Sequence, residues 1–226
     1  NTAVSVATEA LDRLHTTAET HNRVMVLEVM GRYAGWIALE AAIAGGADAV
    51  LLPEIPYDIE SVIRKIEQRR SYGKNFSVIV VSEGAYPKGG SISVKNTREG
   101  GKGVINIQLG GAGDTVAKAI EERTGITTRN TTLGYMQRGG SPTATDRILS
   151  TEYGAKAMSL ALEGKFNVLT ILKGGKLDYV SLEDVVGNNK EIGAVEGGTE
   201  DSNMKVVTMD DDLVKTARSI GICLGD

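Results

Sequence analysis

At 226 residues and 41% hydrophobic, the chain can bury a sizeable core as one large domain or two small ones. Its net charge of −4 argues against nucleic acid or an anionic membrane as a bulk partner, so any bound anion needs a local arginine cluster. Two histidines and one cysteine leave little to build a zinc site or a Cys/His nucleophile pair, and they exclude an internal disulfide.

The lone Cys223 fits a reducing cytoplasm, and no apolar run approaches the roughly 18–20 residues that span a bilayer. Twenty-eight glycines against four prolines suit an α/β protein with many tight strand-to-helix turns. In chain order, the apolar spacing of residues 2–14 predicts a helix, and 24–27 a short buried strand ending at Glu28. A helix over 36–44 stops at Gly45-Gly46; a strand over 48–52 ends at Pro53. An amphipathic helix over 59–70 and a third apolar strand over 76–81 follow. Apolar strands separated by helices predict a parallel sheet with mixed edges, sandwiched by helices.

Residues 84–111 are rich in Gly, Ser and Lys and read as an insertion carrying a strand at 104–109 or a hairpin. Gly110–Gly113 either cradles a phosphate at a helix N-terminus or, more plainly, forms a turn with Asp114 as N-cap of a helix to about Arg123. A strand over 129–133 leads to a long helix over 144–163 and a final strand over 168–172. A short helix over 181–187, a polar Gly-rich connection over 188–205 and a terminal helix over 210–220 complete the chain. The phosphate loop G-x-x-x-x-G-K-[ST] is absent, and no G-x-G-x-x-G follows a first strand.

Two stretches carry chemistry: EVMGRYAG at 28–35 and LGYMQRGGSP at 133–142. Each sets an arginine in a glycine-rich loop after a buried strand. A guanidinium matches phosphate geometry bidentately and stays charged at any working pH. In an open parallel sheet, ligands bind off the carboxyl ends of the strands. Those ends carry Glu28 with Met30, Gly31 and Arg32, then Glu83, then Tyr135 with Arg138. Arg23 and Arg129 precede their strands and lie at the opposite ends, so they reach the same ligand only from another subunit. The residues alone point to a sugar-phosphate- or nucleotide-binding α/β domain, with surface ion pairing as the plainer role for each arginine.

The two stretches together resemble the 6-phosphofructokinase family: EVMGRYAGWIALEAAIAGGAD at 28–48 is similar to its substrate-loop strand and helix, and LGYMQRGGSPTATDRIL at 133–149 to its second sugar-phosphate loop. The resemblance runs through most of 1–187, and ARSIGICLGD at 217–226 resembles the C-terminus of some members. It implies a Rossmann-like fructose-6-phosphate-binding domain over 1–137 with the 84–111 insertion. Residues 138–187 would return to a donor-binding domain, and 188–226 would be a polar connection and C-terminal helix. Met30, Gly31 and Arg32 would contact fructose 6-phosphate, with Arg32 also near the transferring phosphoryl group as the catalytic charge. Glu83 would hold sugar hydroxyls and Arg138 the 6-phosphate. Arg23 and Arg129 would serve a neighbouring subunit of a homodimer or homotetramer with shared active sites. Tyr135 stands where many members have histidine.

The implied reaction is glycolytic, cytoplasmic phosphoryl transfer from ATP or pyrophosphate with Mg2+, a carboxylate taking the proton. A T-I-D-N-D-like aspartate motif and a G-G-D-G-like magnesium loop are expected in a donor half preceding Asn1; neither occurs in these residues, so the chain is expected to bind substrate without turning it over. Gly46, Asp48 and Lys74 match places where some bacterial members bind a nucleotide effector. His15 and Tyr72 replace basic residues there, so strong activation by ADP is not expected. The alternative reading is a non-catalytic sugar-phosphate-binding regulatory module.

Overall fold

The computed structural model describes residues 1–100, 104–187 and 205–226. These fall into two compact units. The larger comprises residues 3–140 with 206–226, the smaller residues 1–2 with 141–205.

In the larger unit, β1 (Val24–Val29), β2 (Ala49–Leu51), β3 (Ser77–Ser82) and β6 (Thr128–Thr132) form a sheet in the order β2-β3-β1-β6. All three pairings are parallel. The alternation along β1 shows why its run is apolar from Val24 to Leu27. Met25, Leu27 and Val29 pack on one face with α1 (Thr2–His21), α2 (Trp36–Ala44) and α7 (Asp212–Ser219). Val24 and Val26 pack on the other with α3 (Ile59–Ser71) and α4 (Ala112–Thr124). A strand covered on both sides has no polar face. Leu11, Leu27, Leu39, Ile79 and Ile120 are wholly buried, each contributing roughly 1.5–3 kcal/mol of transfer free energy.

The terminal helix α7 packs in this unit, and the residues after it join the sheet. Cys223 bridges Ala49 in parallel, with Cys223 N–H donating to the Asp48 carbonyl (3.0 Å) and Val50 N–H to the Cys223 carbonyl (2.8 Å). The segment 84–111 contains an antiparallel pair, β4 (Val94–Gly100) with β5 (Val104–Leu109).

Several elements differ from the sequence expectation. Helix α1 runs seven residues beyond 14, to His21, because Ala18 continues its apolar face. Asp114 lies in the first turn of α4 but is not its N-cap; Gly111 is, at φ +87°. Nor is the Gly110–Gly113 turn open to an outside phosphate. The buried Glu28 carboxylate accepts from Gly111 N–H (3.2 Å) and Gly113 N–H (2.8 Å), so the protein supplies its own anion to the positive end of the helix. Glu28 is therefore not on the ligand-facing rim.

The smaller unit holds α5 (Ala144–Leu162), β7 (Val168–Lys173), β8 (Lys176–Ser181) and α6 (Leu182–Gly187). Strand β7 is not final: it pairs antiparallel with β8 through Gly174-Gly175, both at positive φ. Thr143 caps α5, and Thr2 donates its N–H (2.7 Å) and hydroxyl to Asp146 in the first turn. Those bonds hold the Asp146 carboxyl well below the usual range. The connection expected at 188–205 falls almost wholly outside the described residues.

Candidate functional site

Parallel pairing aligns the ends of β3, β1 and β6: Val29 lies beside Ser82, and Glu28 beside Thr132. Three loops therefore leave the sheet at one rim. The first carries Met30, Gly31 and Arg32 into α2, the second is Glu83-Gly84, and the third is a 3-10 helix, Gly134–Arg138.

The first two loops are bonded to each other through Gly31. Its N–H donates to Glu83 Oε1 (3.3 Å), and its carbonyl accepts from the Ser82 hydroxyl (2.8 Å) and Gly84 N–H (3.1 Å). Glycine is required on both sides of this contact. A Cβ on Gly31, at φ +153°, would strike the Ser82 hydroxyl, and one on Gly84 would strike the Arg32 carbonyl. The glycines thus serve close approach between the two loops.

The third loop reaches the first through Gln137. Its Oε1 accepts from Met30 N–H (3.3 Å) and its Nε2 donates to the Gly134 carbonyl (3.4 Å). Arg138 Nε lies 3.3 Å from Met30 Sδ. Arg32 and Arg138 are exposed, and no ion pair to either occurs among the described residues. The Arg32 guanidinium sits 5.0 Å over the Tyr33 ring, which leaves its N–H fork unspent. The rim thus presents two guanidinia without an ion pair among the described residues, the second Glu83 oxygen and an exposed Tyr135 phenol. That set suits a phosphate ester carrying hydroxyls.

At its outer edge the first loop is anchored by Glu54. This carboxylate accepts from Gly35 N–H (3.0 Å) and from Val207 N–H (2.8 Å). Burial pushes its carboxyl up, opposed by those two backbone bonds.

Arg23 and Arg129 stand away from this rim. Arg23 immediately precedes β1, and Arg129 near the start of β6 pairs with Glu121 (3.3 Å) and donates to the Thr128 carbonyl (2.7 Å). Of the three effector candidates, Gly46 and Lys74 are exposed, but Asp48 is buried. Its carboxylate meets Arg69 at 2.7 Å and accepts from Val78 N–H at 2.9 Å, binding α3 to the sheet. Burial raises the Asp48 carboxyl, opposed by the Val78 bond and then by Arg69. His15 faces the Gly45 carbonyl (2.8 Å) and the edge of Phe76, whose ring also carries Arg69. Among the described residues, no group of three His, Cys, Asp or Glu side chains gathers to hold a metal, and no helix is long and apolar enough to cross a membrane.

Sequence reasoning passed over Gln137, Ser82 and Glu54. The available signal was a polar residue embedded in an apolar or glycine-rich run.

The family model described as Phosphofructokinase matches residues 1–161. ATP-dependent 6-phosphofructokinase 2 of Clostridium perfringens is 47% identical over 230 residues, covering 100% of this chain and 57% of its own. The ATP-dependent 6-phosphofructokinase of Chloroflexus aurantiacus is 46% identical over 226 residues, with the same coverage. The chain thus spans 57% of the length of these relatives. The phosphofructokinase structure from Saccharomyces cerevisiae superposes with a TM-score of 0.69 at 31% identity, over 83% of this chain and 24% of that one. A pyrophosphate-dependent phosphofructokinase from Marinobacter aquaeolei shares the fold at 23% identity and a TM-score of 0.66, over 99% of this chain and 51% of that one.

Proposed function

The chain belongs to the phosphofructokinase family, and on that premise we propose that it is the fructose-6-phosphate-binding portion of an ATP-dependent 6-phosphofructokinase. The observation that carries this reading is the pair of unpaired guanidinia, Arg32 and Arg138, on bonded loops at the carboxyl ends of adjacent parallel strands. Arg138 takes the 6-phosphate through its planar fork, and the Tyr135 phenol donates to the same group. Glu83, with one oxygen on Gly31, accepts from sugar hydroxyls with the other. Arg32 reaches the transferring phosphoryl group and absorbs part of its developing charge, while Met30 and Gly31 line the sugar.

ATP is favoured over pyrophosphate as donor because the relatives at 46–47% identity are described as ATP-dependent. The reaction moves the γ-phosphoryl of ATP to the sugar's 1-hydroxyl, giving fructose 1,6-bisphosphate and ADP, a cytoplasmic step of glycolysis. Among the described residues no group of three His, Cys, Asp or Glu side chains gathers to hold Mg2+. Nor do the 226 residues contain the aspartate motif that would take the hydroxyl proton, so this portion binds substrate and does not turn it over alone. Residues 1–137 are the substrate domain, and 138–187 belong with a donor-binding domain. Arg23 and Arg129, at the far end of the sheet, complete the site of a second copy in a homo-oligomer.

Calorimetric titration of the full-length protein tests this. Fructose 6-phosphate is expected to bind saturably and unphosphorylated fructose not at all. Arg138→Ala should weaken the sugar phosphate roughly 100-fold or more. Equal binding of both sugars, or an unaffected Arg138→Ala variant, would sink the reading.

A further inference from the structure

Gln137 stands between the two arginine loops and is 2% exposed. Its amide uses both ends. Oε1 receives the Met30 N–H of the first loop, and Nε2 holds the Gly134 carbonyl at the start of its own 3-10 turn. The adjacent residue, Arg138, returns to the same Met30 through the sulfur. Met30 is thus gripped from two sides, two residues before Arg32. An acceptor and a donor on one planar group at this length are what an amide provides. A carboxylate here would face the Gly134 carbonyl with lone pairs, and a methionine would satisfy neither partner.

We infer that Gln137 is a positioning residue that sets the separation and angle of the two guanidinia. The inference rests on the sugar-phosphate reading of the site and deepens it. Guanidinium–phosphate bonds are directional, and displacing such a group by about 1 Å forfeits much of its contribution. Gln137 itself is buried and acts only through Arg32 and Arg138.

The test is a double-mutant cycle on the full-length protein, with calorimetric titration of fructose 6-phosphate as readout. Gln137→Met is expected to raise Kd roughly 10-fold in the parent and about twofold or less in an Arg138→Lys background, whose fork is already lost. A residue that merely supported folding would give the same factor in both backgrounds. Equal factors, or no effect in the parent, overturn the inference. If Arg32→Ala and Arg138→Ala leave binding unchanged, the sugar-phosphate reading itself fails and takes this inference with it. Should Gln137→Met not fold, Gln137→Glu keeps the shape and the Met30 bond while losing the Gly134 bond. The same non-additivity with Arg138→Lys is expected of it, and additive behaviour overturns the inference equally.

Discussion

Glu54 joins backbone segments that lie far apart in the sequence, Gly35 at the start of α2 and Val207 ahead of α7. Because burial raises its carboxyl, the folded state holds a proton more readily than the unfolded chain. Stability therefore falls as pH rises from the ordinary glutamate range through the raised value, and is flat above it. Asp48, raised for the same reason, adds a slope of the same sign. Glu54→Gln should flatten this limb without abolishing it. At neutral pH the variant should lose about 1 kcal/mol or less, because its Oε1 keeps both N–H donors and only the longer Gly35 contact to Oε2 is lost. Urea unfolding across that pH range reads both effects, and a limb as steep as the parent's would contradict the assignment. Arg32 and Arg138 were legible in the sequence because arginine beside glycine after an apolar run has few explanations. Glu54, Ser82 and Gln137 were not, because their partners are backbone groups that only the fold brings near.

Among the elements, β1, β2 and β3 were legible since a strand buried on both faces carries an unbroken apolar run, Val24–Leu27 in β1 and Val78–Val81 in β3. Strand β8 was not, because KLDYVS mixes charge and apolar residues on an open two-stranded ribbon. Its clue was Gly174-Gly175, the pair that a two-residue hairpin turn with positive φ favours. The start of α4 misled for another reason. Asp114 looks like a cap, yet the cap function falls to Glu28, more than eighty residues earlier in the chain. The turn after β3 has a role that can be measured directly. Gly84 packs against the carbonyls of Gly31 and Arg32, so Gly84→Ala must push the first loop outward. Overpacking of this kind costs about 1–3 kcal/mol. We expect fructose 6-phosphate binding by the full-length protein to weaken roughly 10-fold, a loss set by the displaced Arg32. Unchanged affinity would show that the loop absorbs the methyl elsewhere.

For the molecule as a whole, the two units differ in how they treat apolar surface. The larger unit buries its leucines, valines and isoleucines on both faces of one sheet. In the smaller, Leu160 of α5 is fully buried, whereas Leu162 is 78% exposed and Phe166 70%. Ile148, Met158, Leu169 and Leu172 are exposed as well. The larger unit carries its own long-range dependence at the edge of β2. That edge is closed by Cys223, while Ile222 and Leu224 fill the core beside it and Gly225 accepts from Asp58 N–H. A ribosome makes β2 about 170 residues before it makes this closing segment. Throughout that interval the nascent sheet keeps an unpaired row of N–H and C=O groups beside a half-filled core, the arrangement that recruits foreign strands. Protein ending at residue 205 should accordingly scatter light and pellet during expression, whereas equal solubility would mean that the edge is shielded some other way. Residues 222–225 would then act as a release signal, since the open edge of β2 is paired only when they arrive.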